Sequence, residues 1–297
     1  MASPFPIAAV LTLATVSLVA ADNPLLAPGA KIEKLADGFL FTEGPAADRS
    51  GNIYFTDQPN DRIVKWDAAK GTFEDWMKPA GRANGMFFDA KGQLIACADE
   101  KNQLWSIAPD RTVTVLVKDF GGHLLNGPND VWIRPDNGLY FTDPFYKRPY
   151  WKRGPIEQDG QHVYFLPPDR SQPRQVTTDL KQPNGIVGSP DGKTLFVADI
   201  GAGKTYRYSI NTDGSLAGKT LFCEMGSDGM TLDAQGNVYL TGKGVTVFNP
   251  SGTKIAHFEI PEPWTANVRI GGRENDYLFV TAGKAVYGAR LNVHGVR

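Results

Sequence analysis

Cysteine is nearly absent from this 297-residue chain, which contains only Cys97 and Cys223. A chain this long buries enough surface to fold without disulfides, and both thiols lie in strand-like apolar runs, so both are expected buried and unpaired. No Gly-x-Ser-x-Gly elbow occurs, and no Cys and His arrangement has a motif around it. That removes the usual signatures of an activated nucleophile. Net charge is almost nil, with 31 Lys and Arg against 32 Asp and Glu and no basic block, which argues against nucleic acid as a partner.

Long apolar runs are also missing, with one exception. From Pro4 to Ala21 there is no charge, and the small residues Val19, Ala20 and Ala21 precede Asp22. This is the pattern of a secretory signal peptide, although no Lys or Arg opens it. The rival, an uncleaved anchor, would need about 20 apolar residues, and this run is short for that. The chain is therefore read as a signal peptide over residues 1–21 and one domain over residues 22–297. It would be exported, periplasmic or secreted, with no membrane contact after cleavage.

What the chain has in quantity is glycine and proline, 32 and 21 residues, which suits many tight turns. The stretch from Gln182 to Asp199 is a short apolar strand, an Asp-Gly turn and a second β-branched and aromatic strand, with Asn184 at its head. That is the form of a β-hairpin. Related stretches begin at Glu43, Asn84, Asn129, Asp228 and, more loosely, Asn267. The distance from head to turn glycine is 8 residues in four of them (43 to 51, 84 to 92, 184 to 192, 228 to 236) and 9 in the third, from 129 to 138. A third alternating strand follows each hairpin, and often a fourth.

Four strands in a repeat of about 45 residues mark a β-propeller blade. Six copies predict an all-β, six-bladed propeller. The last copy runs out of chain after Leu291, so an N-terminal strand over Lys31–Leu35 is expected to complete that blade and close the ring. Trp66, Trp105 and Trp132 fall at strand periodicity and read as core between blades.

In a propeller the innermost strands all start at one face. The six heads should then converge on one mouth, as a ring made entirely of side-chain oxygen donors. Oxygen without sulfur or imidazole suits a hard cation. One divalent metal is expected, Ca²⁺ first, then Mg²⁺ or Mn²⁺, with Zn²⁺ least favoured because none of the four histidines is a head. A single Asn or Asp before a strand commonly just caps a turn. Two carboxylates facing each other, Glu43 and Asp228, are harder to explain that way.

These residues resemble the family of regucalcin (senescence marker protein), gluconolactonase and luciferin-regenerating enzyme. The likeness runs from Ile32 to Leu291. It is carried by Thr42-Glu43-Gly44-Pro45, by Leu125-Asn126-Gly127-Pro128-Asn129-Asp130 with Tyr140 to Pro144 after it, by Pro183-Asn184-Gly185, and by Ser227-Asp228-Gly229. The resemblance implies a lactonase for a small-molecule lactone, with Glu43, Asn184 and Asp228 as metal ligands. It also implies Asp228 as general base and Asn126 and Asn129 as substrate contacts. Gly127 departs from the serine of related sequences. Gly121-Gly122-His123 stands where a basic residue is frequent, and His123 itself reads as a loop residue.

With no nucleophile in view, direct attack by water is the expected chemistry. A non-catalytic propeller with a structural metal, binding a sugar or protein at its top face, is the alternative, and phosphoester hydrolysis a minor third. The loop after Asp143 is long, aromatic and basic. Tyr146, Tyr150 and Trp151 are placed to stack on a sugar ring or only to pack the loop down, and Lys147, Arg148, Lys152 or Arg153 to meet a carboxylate.

Overall fold

The computed structural model describes residues 23–296, so the signal-peptide reading lies outside the described residues. Six antiparallel four-stranded sheets make up the molecule, and five of them are built from consecutive strands. The sixth contains Thr265–Gly271, Tyr277–Ala282 and Ala285–Arg290, with Glu33–Asp37 from the start of the chain as its outer strand. Glu33 pairs with Gly288 and Asp37 with Ala285. The six-bladed propeller and its closure by an N-terminal strand are as expected. The closing strand sits two residues further along than Lys31–Leu35, because Leu25 is buried and Leu26 bridges Leu291, which anchors the lead-in against the sixth blade. Among the described residues no helix is long and apolar enough to cross a membrane.

The hairpin turns share one geometry that glycine alone does not reveal. The residue eight places after each head has a positive φ: Gly51, Gly92, Asn137, Gly192, Gly236 and Asn275, between 58° and 84°. Each donates its N–H to the carbonyl three residues earlier. Asn tolerates the left-handed conformation, so blades three and six make the same turn without glycine. The ninefold spacing of the third copy disappears once Asn137 replaces Gly138 as the turn residue.

Apolar clusters fill the space between neighbouring blades. Trp66 of blade one stacks on Tyr277 of blade six, with ring centroids 5.3 Å apart. Trp132 of blade three packs so tightly on blade four that a side chain on Gly188 would lie 2.3 Å from its ring. Trp105 is partly buried between blades one and two, and Cys97 and Cys223 are buried free thiols.

Candidate functional site

The strand ladder breaks at the heads. Register shifts fall between Glu43 and Ala46, Ala83 and Met86, Pro183 and Ile186, and Thr265 and Asn267. In blades three and five the inner strand begins only after the head, at Val131 and Met230. A broken ladder frees the head from the alternation of the sheet, and the ring closes tightly there. A Cβ on Gly44 would lie 2.0 Å from the Asn84 carbonyl, and one on Gly229 would lie 1.9 Å from Asn267 Cγ. These two positions admit only glycine because the next blade's head occupies the space.

Three predicted ligands meet at this ring. Asn184 Nδ2 donates to Asp228 Oδ1 at 2.9 Å and to the Tyr146 hydroxyl at 2.8 Å. Both amide hydrogens are thus consumed, and the buried Asn184 Oδ1 has no partner. Glu43, also buried, accepts from the Gly44 N–H at 3.0 Å. Burial, and after it the charge of Asp228, push the Glu43 carboxyl well above the usual range. Burial likewise raises Asp228, while bonds from Trp264 and Asn184 and the charge of Arg148 hold it down.

The donor set fits a hard cation. Burial raises both carboxyls and the Asp228 charge raises Glu43 further, strain that a positive charge near them would relieve, and Asn184 Oδ1 is an unspent neutral oxygen. Among the described residues no cluster of three or more His, Cys, Asp or Glu side chains could hold a metal, so a cation here relies on the amide as its third ligand.

The long loop after Asp143 supplies what the heads lack. Arg148 from this loop lies 5.1 Å from the Tyr146 ring and acts electrostatically on Glu43 and Asp228. A cation therefore does stand at the mouth, although none precedes the third-blade motif. Its Nε lies 3.0 Å from Asp99 Oδ2, off line for a hydrogen bond. Asp99 also accepts from the Tyr150 hydroxyl, and its carbonyl accepts from Trp151 Nε1 at 2.8 Å. Tyr150 and Trp151 thus tie the loop to blade two.

The two substrate candidates differ in placement. Asn129 heads blade three in the ring, its carbonyl accepting from Gly85 at 2.7 Å. Asn126 lies under the loop, where Nδ2 donates to the carbonyls of Asp143 at 3.0 Å and Gly160 at 2.8 Å. As observed, Asn126 has no amide hydrogen left for a substrate, while its Oδ1 is buried and unpartnered. His123 is exposed in a loop, as expected.

Three side chains were not singled out by sequence. Trp264 donates from Nε1 to Asp228 Oδ2 at 2.6 Å, and 40% of it is exposed at the mouth. Its only sequence signal is an aromatic residue three places before a head. Asp130, next to Asn129, is buried in the channel, and desolvation pushes its carboxyl up to about 8. Arg269, two residues after Asn267, is drawn down to about 10 by burial.

Six blades around a channel whose mouth gathers carboxylate and amide oxygens define the class: a β-propeller with a cation-type donor set at one face. Within that class, the SMP-30/Gluconolactonase/LRE-like region matches residues 41–284, and the chain belongs to that family. It is 26% identical over 294 residues to a gluconolactonase of Zymomonas mobilis, covering 89% of this chain and 82% of that protein. It is 24% identical over 238 residues to the pentonolactonase XacC of Haloferax volcanii, covering 77% and 76%. Among solved structures, a gluconolactonase of Xanthomonas campestris superposes with a TM-score of 0.83 at 27% identity, over 92% of this chain and 96% of that one. A calcium-binding regucalcin of Agrobacterium tumefaciens gives 0.74 at 20% identity, over 89% and 94%, a likeness of fold.

Proposed function

We propose that this protein is a metal-dependent lactonase that opens a sugar lactone by attack of water, with Asp228 as general base. The observation that carries the reading is the bond from Asn184 to Asp228, which leaves the buried Asn184 Oδ1 unspent, with Asp228 acting electrostatically on the buried Glu43. Names borne by relatives agree, since gluconolactonase and pentonolactonase are both lactone hydrolases by name. Glu43, Asn184 and Asp228 would hold the cation, Ca²⁺ first.

A divalent ion there supplies a Lewis acid for the lactone carbonyl and lowers the pKa of water. The chain's own groups do the rest. Asp228, aimed by the Trp264 N–H, takes the proton from the attacking water. Tyr146 fixes the Asn184 amide so that its oxygen keeps one orientation. Arg148 adds positive potential where negative charge develops on the substrate oxygen, and Asn129 offers an amide from the same ring. The exposed face of Trp264 provides an apolar platform beside the base for a sugar ring.

Alkali uptake at constant pH with gluconolactone and a panel of related lactones, with and without chelator, tests this. Metal-dependent turnover on at least one lactone is expected, and none on any would overturn it. Export after cleavage near residue 21 belongs to the same proposal. Recovery of the shortened chain outside the cytoplasm checks it.

A further inference from the structure

One sizeable cavity lies away from the mouth. It opens at the turn ends of the inner strands, the face opposite the heads, and encloses about 620 Å³. That is within the roughly 300–1,000 Å³ of small-molecule sites. Its walls are mixed, with Phe87, Trp132, Pro190 and Val296 making an apolar side and charged residues the rest. Arg269 reaches it from the channel, with its guanidinium 4.6 Å from the Phe87 ring.

Arg269 is the unusual group here. Among the described residues no carboxylate forms a salt bridge with it, and its buried Nε has no hydrogen-bond partner. Asp130 is the one charge acting on it from the channel side, and burial nonetheless outweighs that attraction. The residue as a whole is half-buried, but a guanidinium Nε kept from water without a partner is costly, which favours negative charge in the space Arg269 borders.

The carboxylates on the wall do not meet it. Asp48 Oδ1 accepts from the N–H groups of Ser50 and Asn52, and Asp89 Oδ1 from those of Lys91 and Gln93, so both are committed to their turns. Arg49 and Arg134 also line the cavity, bonded to the carbonyls of Ala90 and Asn211.

We propose that this cavity is a second binding site, for a small organic anion with a flat apolar body, whose charged end meets Arg269 and whose ring lies between Phe87 and Trp132. It is separate from the mouth, on the opposite face of the ring.

Calorimetry with naphthoate and its neutral isostere naphthamide on the full protein tests the site. Naphthoate is expected to bind about tenfold more tightly than the amide, the scale of one charge-assisted hydrogen bond. The preference should persist with chelator present and in Asp228→Ala, vanish in Arg269→Met and survive in Arg269→Lys. Ala90→Trp, an exposed rim position that does not depend on core folding, should obstruct entry and weaken naphthoate. Equal binding of acid and amide, or an acid preference unchanged in Arg269→Met, overturns the proposal. So does loss of binding with chelator or in Asp228→Ala, which would assign the anion to the mouth.

Discussion

Asn184 Nδ2 lies 2.9 Å from Asp228 Oδ1, and that bond ties the head of blade four to the head of blade five. With its second hydrogen on Tyr146, the amide has only its oxygen free. Asn184→Ala is therefore expected to weaken Ca²⁺ binding by about tenfold or more, the size of effect seen when one group supporting a metal is lost. Titration calorimetry on metal-stripped protein measures it. An unchanged affinity would remove Asn184 from the ligand set.

Asp228→Ala removes both a ligand and the proposed base, and should abolish metal binding and lactone turnover together. Retained turnover would sink the role given to Asp228.

Trp264→Phe keeps an aromatic ring but deletes the N–H on Asp228. That bond holds the carboxyl down, so its loss lets the Asp228 pKa rise further. A base must be deprotonated to act. The acid limb of the kcat/KM profile should then move to higher pH, while a purely structural tryptophan would leave the limb in place.

Asp130 is held protonated by burial up to about 8, well above its unfolded range of about 4. Between those values the folded chain keeps a proton that the unfolded chain has released, so folding stability falls as pH rises through that window. Asp130→Asn is neutral at every pH and should flatten the decline by one proton's worth. Thermal melts from about pH 5 to about pH 9 with chelator present measure this, and parallel curves for both proteins would refute it.

Asn126→Ala loses two hydrogen bonds beneath the long loop. A destabilisation of about 1–3 kcal/mol is expected, because the Asp143 and Gly160 carbonyls are left short of a donor. Denaturant titration reads it. Metal affinity should change little, since Asn126 lies outside the ring of heads.

The six-bladed ring was legible because its hairpins repeat and its heads are all oxygen donors. Two details escaped, both for the same reason. At Asn137 and Asn275 the turn conformation is fixed by φ rather than by residue type, so counting glycines misplaced one turn and blurred another. The gathering of Glu43, Asn184 and Asp228 at one ring was readable because each opens a repeat. Trp264 was not, and Arg148 was only one of four basic loop candidates, because each reaches the mouth from irregular backbone whose path no periodicity encodes. Asp130 and Arg269 were hidden differently. Each follows a head by one or two positions, and only the narrowing of the channel makes that adjacency matter.

The sixth blade is stitched from both ends of the polypeptide, Glu33–Asp37 lying against Ala285–Arg290. During synthesis the ring must stay open until Ala285–Arg290 has emerged, and the early strand waits about 250 residues for its partner. Cutting off the final thirty or so residues would therefore cost more than one blade, since it leaves two raw edges and no seam. Conversely, joining the ends and opening the chain at another surface turn moves the seam without altering the ring, because chain breaks at exposed turns disturb few buried contacts. The mouth, shared among heads from separate blades, exists only when the circle is complete.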